Sequence, residues 1–165
     1  MSLEGKPVRA SRVECTEIIQ PNDANPLGTV FGGKVMAMID VVGALAAQRH
    51  ARKVCVTAAI DALQFLAPAK VGHFLIVRAQ VNFVAHTSME VGVEVFAEDP
   101  LTGESRQTST AFVTFVALDS FGRPSPVPPV IPETDVEQRA FEEAKGRREA
   151  RLARRGEAQR SKGGA

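Results

Sequence analysis

The fold is decided by the stretch FGGKVMAMIDVVGALAAQRH, residues 31–50 of the sequence. Between residues 34 and 47 its apolar residues recur at steps of three and four, the spacing of one helix face, and the other face is also mostly small or apolar. Gly32 and Gly33 leave the backbone N–H groups unobstructed at the start, while Arg49 and His50 place positive charge at the end, where the helix dipole is negative. We therefore predict a helix that is buried nearly all round.

Asp40 is the only charged residue between Lys34 and Arg49. A buried carboxylate is costly, so it persists only if something stabilises it or if function requires it. It could cap a neighbouring loop, or it could act as a general base or nucleophile. The second reading is favoured by the glycine N–H groups at the start of the same helix, which could polarise a carbonyl.

Upstream of this helix, residues 12–20 carry a modest strand signal, and residues 21–28 are dense in turn-forming residues. Asn25 lies in that turn-rich segment. An asparagine in such a position often serves its own backbone, because it tolerates left-handed conformations and forms Asx turns.

Downstream, four stretches read as strands, at residues 54–66, 73–85, 88–98 and 105–118. Their connections are short, which favours antiparallel pairing of consecutive strands. The sequence thus predicts an α+β fold in which an antiparallel sheet wraps around one long central helix.

The proline-rich run at residues 122–129 should end the compact domain, so we predict one domain over residues 1–130. Residues 131–165 are predicted to form a C-terminal helix and a basic tail that is exposed and frayed. Thr134 and Glu137 have the spacing of a capping box, in which Thr134 accepts from the backbone of Glu137.

The bulk properties exclude several classes of protein. With 44% hydrophobic residues, 24% charged residues and a net charge of +1, the chain has no overall field to attract nucleic acid or a membrane surface. No signal peptide or transmembrane stretch is evident, and Cys15 and Cys55 lie in apolar or alternating segments, so we expect a cytoplasmic protein. The histidines and cysteines lack metal-ligand spacing, so neither a metal nor another cofactor is expected.

With these residues in place, the chain resembles the cytosolic acyl-CoA thioester hydrolases of the hotdog superfamily, including the brain-type enzymes and their bacterial counterparts. The resemblance covers most of the chain. It rests on residues 21–28, the run from Phe31 to Asp40, Arg49-His50, 56–61, Phe65 with Pro68, 86–91, 112–117 and 127–129.

The resemblance implies a hotdog fold, an active site at a dimer interface, and assembly as a hexamer made of three dimers. It implies hydrolysis of fatty acyl-CoA to the free fatty acid and coenzyme A. The family's catalytic pair falls on Asn25 and Asp40 from different subunits, with the backbone of Gly32 and Gly33 polarising the thioester. Many relatives have histidine where this sequence has Phe31, a difference that leaves the backbone donors intact.

Further residues are expected to bind the substrate. These are Arg49, His50, Thr57, Thr87 and Ser88. The hydroxyls of Thr87 and Ser88 could contact phosphates or only serve their turn, and His50 could be no more than a charge at a helix end.

Two other functions remain open at this point. A hotdog hydratase acting on enoyl thioesters would need a catalytic histidine near an acidic residue, and none of the three histidines is so placed. A non-catalytic acyl-CoA-binding or regulatory module would leave Asp40 structural and give the basic tail a partner.

Overall fold

The computed structural model describes residues 3–162, and the side chains of residues 3–159. Residues 1–2 and residues 163–165, the last part of the predicted basic tail, lie outside the described residues. The elements in chain order are β1 (Lys6–Pro7), β2 (Val13–Ile18), α1 (Gly32–Ala51), β3 (Val54–Phe65), β4 (Phe74–Val84), β5 (Ser88–Glu98), β6 (Ser105–Leu118), β7 (Val130–Ile131) and α2 (Asp135–Lys162). Short 3-10 turns at Val8–Ser11 and Pro21–Asp23 flank β2.

Five strands form one antiparallel sheet in the order β2-β4-β5-β6-β3, so all the predicted strands are present close to their predicted bounds. The expected pairing of consecutive strands is wrong at one place. β3 pairs with β6 and not with β4, because the connection 66–73 crosses from one edge of the sheet to the opposite half. This order lets the sheet curl around α1, which contacts β2 to β6.

The core lies between α1 and the sheet. Ile39, Val42 and Ala46 on the helix are at most 2% exposed, and they face equally buried side chains of the central strands. Gly43 permits the closest approach, because a Cβ there would lie 3.1 Å from the ring of Phe115. Burial of this apolar area is the main stabilising contribution to the fold.

The prediction that α1 is buried nearly all round is wrong for the single chain. Met36, Val41 and Leu45 are 42%, 58% and 44% exposed. One five-stranded sheet covers only one side of a helix, so the other apolar side faces outward. On the edge strand β3, Val54 and Val56 extend this apolar surface, being 62% and 44% exposed.

The C-terminal region returns to the sheet. The segment 123–129 has no regular secondary structure apart from a bridge between Pro124 and Leu118, and β7 pairs in parallel with β1. As predicted, the N–H of Glu137 donates to the hydroxyl of Thr134 at 3.2 Å near the start of α2. The domain boundary at residue 130 stays a prediction.

Helix α2 packs its first part against the outer face of the sheet, whereas residues 145–159 are mostly exposed, as predicted for the basic far end. Phe141 stacks edge-to-face on Phe83, with ring centroids 5.0 Å apart, and Ala144 is fully buried. Arg147 and Arg151 pair with carboxylates of the sheet, so part of the basic charge of the tail is used in packing. In the described part of the chain, neither helix combines the length and apolar character that a bilayer crossing requires.

Candidate active site

The amino end of α1 leaves backbone donors free. Phe31 caps the helix with an extended backbone and without a side-chain hydrogen bond. Within residues 3–162 the N–H groups of Gly32 and Gly33 have no acceptor, whereas that of Lys34 donates to the carbonyl of Phe31 at 3.1 Å. The positive end of the helix dipole reinforces these donors, so this point of the chain is suited to stabilise an oxyanion.

Aromatic rings lie close to both glycines. A Cβ on Gly33 would overlap the ring of Phe31, and one on Gly32 would lie 3.3 Å from the ring of Phe65. The two rings therefore pack on the helix start, and the small residues let a ligand atom approach the N–H groups.

A cavity of about 450 Å³ opens beside Gly32. Its walls are mostly apolar, and they include Val30, Val35, Phe65 and Leu66, with Thr108 and Ser109 at the start of β6. The free N–H donors of the helix therefore lie beside a cavity whose mostly apolar walls suit an apolar chain.

Asp40 lies on the outward apolar side of α1 and is partly buried. The hydroxyl of Thr57 on β3 donates to Asp40 Oδ1 at 2.5 Å. No Lys, Arg or His side chain pairs with this carboxylate in the described part of the chain, so a single hydroxyl holds it in place.

Asn25 is committed to its own loop within one chain. Its Oδ1 accepts from the N–H groups of Leu27 and Thr29 at 3.0 and 3.3 Å, and its Nδ2 lies 2.9 Å from the hydroxyl of Thr29. The same loop touches the helix start, because the N–H of Phe31 donates to the carbonyl of Asp23 at 2.9 Å. Among the described residues no hydrogen bond joins Asn25 to Asp40.

One chain does not bring the predicted site together. Gly32 and Asp40 are separated along α1 by about 12 Å, since a helix rises 1.5 Å per residue. We refer to Asn25 with the two glycines, at and before the helix start, and to Asp40 with Thr57, further along the helix, as the two candidate half-sites. The outward apolar surface of α1 surrounds the second half-site.

His50 lies inside the protein and is 0% exposed. Its Nε2 lies 2.8 Å from the carbonyl oxygen of Pro128, and its Nδ1 has no partner among the described residues. Burial lowers the pKa of His50, and the hydrogen bond to Pro128 only partly opposes this effect. The ring holds the returning segment 122–129 against α1, so we leave His50 out of the proposed site.

The remaining predicted binding residues lie elsewhere on the surface. The guanidinium of Arg49 donates to the carbonyl of Arg12. Thr87 lies in the turn before β5 and Ser88 is the first residue of β5, and their carbonyls accept from the N–H groups of Ala117 and Ala85 at 3.0 and 2.8 Å. The structure assigns no contact to the hydroxyls of these two residues within the described part of the chain, and their role stays a prediction.

Sequence reasoning missed Ser109 as a wall of the cavity. The sequence gives little signal for it, because Ser109 belongs to the polar first part of β6 and the alternating apolar residues begin only at Ala111. No group of three His, Cys, Asp or Glu residues that could hold a metal ion occurs within residues 3–162. The thiol of Cys55 is buried, which raises its pKa to about 11, so it is no nucleophile.

Comparison with known proteins identifies the family. A model of the thioesterase superfamily matches residues 27–104. An uncharacterized acyl-CoA thioester hydrolase of Bacillus subtilis is 43% identical over 129 residues, which cover 78% of this chain and 75% of that protein. The chain belongs to this family of thioesterases.

The thioesterase also aligns with larger relatives. The cytosolic acyl coenzyme A thioester hydrolase of Mus musculus is 35% identical over 150 residues, which are 89% of this chain but only 39% of the mouse protein. The chain therefore spans less than half of that relative.

Solved structures share the fold of this thioesterase closely. A crystal structure described as an apo-hexameric acyl-CoA thioesterase is 45% identical, has a TM-score of 0.89, and covers 92% of this chain and 97% of that chain. An acyl-CoA hydrolase of Staphylococcus aureus, solved with butyryl coenzyme A, coenzyme A and coenzyme A disulfide, is 38% identical with a TM-score of 0.87, covering 94% and 95% of the two chains.

The Staphylococcus aureus enzyme has also been solved as three alanine variants. They replace an asparagine, an aspartate fifteen positions after it, and a threonine seventeen positions after the aspartate. Asn25, Asp40 and Thr57 of this thioesterase have the same residue types at the same spacing.

Proposed function

We propose that this protein hydrolyses the thioester bond of fatty acyl-CoA and releases a free fatty acid and coenzyme A. The observation that carries the proposal is the pair of free N–H groups at Gly32 and Gly33 beside an apolar cavity of about 450 Å³. A thioester needs such donors, because negative charge develops on its carbonyl oxygen as the carbon is attacked.

The catalytic roles follow from the two half-sites. The thioester carbonyl accepts from Gly32 and Gly33 of one subunit, and Asn25 of the same subunit orients the attacking group. Asp40 of a second subunit, held by Thr57, supplies the base or nucleophile. The variants of the Staphylococcus aureus enzyme support this choice, because they replace the same residue types at the same spacing.

Two routes for Asp40 are consistent with these roles. As a general base, Asp40 takes a proton from water, whose oxygen attacks the carbonyl carbon. As a nucleophile, it attacks that carbon itself and forms an anhydride, which water then opens. In both routes the C–S bond breaks and the sulfur leaves as the coenzyme A thiolate, which is then protonated.

The assembly is proposed on the same grounds. A homo-oligomer would cover the outward apolar side of α1, where Val41 is 58% exposed, and it would join the two half-sites. A hexamer made of three dimers is favoured by the hexameric relative that is 45% identical. Sedimentation that finds only monomers at micromolar concentration would contradict both the assembly and the shared site.

We also propose a cytoplasmic location, in keeping with the mouse relative described as cytosolic. Arg49, Thr87 and Ser88 remain proposed contacts for the coenzyme A portion.

A thiol-release assay with acyl-CoAs of increasing chain length tests the function directly. We expect turnover of at least one member of the panel, and the chain-length profile defines the substrate range. Binding of coenzyme A esters without thiol release from any of them would contradict hydrolysis and favour a non-catalytic acyl-CoA-binding module.

A further inference from the structure

Ser109 is a buried polar residue in the wall of the cavity beside Gly32. Further along β6 the buried residues of the same face are apolar, and Ala111, Val113, Phe115 and Ala117 are at most 1% exposed. Ser109 continues this inward series and is itself 1% exposed. It lines the cavity, where its hydroxyl forms no hydrogen bond within the described residues and, unlike the hydroxyl of Thr114, is not fully enclosed by protein atoms.

The neighbouring hydroxyl shows the contrast. Thr108 also lines the cavity and is 2% exposed, but its Oγ1 donates to the carbonyl of Val95 at 3.2 Å. The hydroxyl of Thr108 is therefore hydrogen-bonded within the protein, whereas the hydroxyl of Ser109 can bond to a molecule that occupies the cavity.

An unpaired hydroxyl selects among the molecules that fill an apolar pocket. An unsubstituted hydrocarbon chain would exclude water from Ser109 and leave the hydroxyl unpaired, which is unfavourable. A chain with an oxygen substituent removes that cost, because a serine hydroxyl can both donate and accept a hydrogen bond.

The acyl chain is the part of acyl-CoA that fits this cavity. Val35 and Ala69 in its wall belong to the core and are 3% and 1% exposed, so the cavity leads inward from the helix start. The nucleotide of coenzyme A is charged and stays near solvent, whereas the acyl chain is the apolar end that gains from burial.

We propose that Ser109 determines substrate specificity, and that the enzyme prefers acyl chains carrying a hydroxyl or oxo group over unsubstituted chains of equal length. This inference rests on the proposed thioesterase function and adds the chemical class of its acyl substrate. It concerns selectivity and gives Ser109 no part in cleaving the thioester.

A matched pair of substrates tests the proposal. The ratio of kcat/KM for β-hydroxybutyryl-CoA to that for butyryl-CoA is measured on one preparation, so that a loss of folded enzyme cancels. The wild type should prefer the hydroxylated substrate, and Ser109→Ala should lower the ratio by about tenfold, the effect of leaving one polar group unpaired. Ser109→Cys, of similar size with a weak donor, should give an intermediate ratio and serves if the alanine variant folds poorly.

Ser105→Ala is the matched control, because Ser105 lies on the same strand but is exposed and does not line the cavity, so loss of its hydroxyl should leave the ratio unchanged. An unchanged ratio in Ser109→Ala would overturn the proposal. An equal loss of kcat/KM on both substrates would also overturn it, since the hydroxyl would then bind the portion that the substrates share. If the wild type hydrolyses no acyl-CoA of the wider panel, the proposed function itself fails, and this inference with it.

Discussion

At the scale of single residues, Asp40 is accompanied by a hydroxyl and not by a cation. Thr57 donates to Oδ1, and in the described part of the chain no basic side chain neutralises the carboxylate. A carboxylate that only stabilised the fold would usually be paired with a positive charge or with several donors. This arrangement leaves Oδ2 available to a water molecule or a thioester carbon.

Asp40→Asn should lower kcat by about 100-fold or more, the usual effect of losing a general base or nucleophile. The amide keeps the size of the side chain and can still accept from Thr57. Steady-state kinetics gives kcat, while circular dichroism and sedimentation check that the variant remains folded and assembled. Activity near the wild-type value in a folded variant would make Asp40 structural.

His50 should make the protein less stable as the pH falls below about 6.5, the ordinary pKa of histidine. Because burial lowers the pKa of His50, the unfolded chain takes up a proton in this range before the folded protein does. Stability is then lost at up to about 1.4 kcal/mol per pH unit, until the lowered folded-state pKa is reached.

Urea unfolding of the wild type and of His50→Gln at pH 7 and pH 5 measures this effect as a difference between the two proteins. Gln can still donate to the carbonyl of Pro128 but does not titrate, so the variant should lose less stability on acidification. Equal losses in both proteins would mean that other groups cause the acid sensitivity.

At the scale of elements, α2 is attached to the sheet by a buried ion pair. Arg147 makes two hydrogen bonds to Glu90, at 2.8 and 3.1 Å, and its guanidinium lies 3.6 Å from the ring centre of Phe112. Glu90 is only 4% exposed. The carboxylate of Glu90 belongs to the sheet and the guanidinium of Arg147 to the helix. The buried carboxylate is therefore paired only while α2 stays packed on the sheet.

Arg147→Ala should destabilise the protein by about 3 kcal/mol, because it leaves the buried carboxylate of Glu90 without its cation. Arg154→Ala is the control, since Arg154 is exposed on the same helix. Chemical denaturation measures both variants. A similar small effect for the two arginines would mean that α2 contributes little through this pair.

At the scale of the whole molecule, the two half-sites predict complementation between defective subunits. Asn25→Ala and Asp40→Ala should each be nearly inactive alone. In a dimer with one copy of each, one site carries both lesions and the other carries neither, so about half of the wild-type activity should return if the site is shared.

The experiment uses two affinity tags on co-expressed chains and sequential purification of the mixed species. The matched controls are purified with the same two tags, but both of their chains carry the same substitution, either Asn25→Ala or Asp40→Ala. Mixed assemblies that are as inactive as their parents would mean that Asn25 and Asp40 act within one chain.

The sequence by itself determined most elements and the candidate chemistry of this protein. Alternating strands and the three- and four-residue steps of α1 depend on local spacing, which fixes the face on which each side chain lies. Asp40, Gly32 and Gly33 could be singled out because a lone carboxylate and a double glycine contradict the apolar pattern around them. Thr134 and Glu137 could be read as a cap because capping joins residues that are close in sequence.

Only the tertiary structure decided which distant residues meet. The pairing of β3 with β6, the contact of Thr57 with Asp40, the burial of His50 under Pro128, and the position of α2 all join segments far apart in the chain. A local sequence pattern does not specify such contacts. Many chemically similar residues could be the partner, and chain topology and packing decide which one is. Ser109 gained significance only when folding placed its hydroxyl, unpaired, in the wall of an apolar cavity.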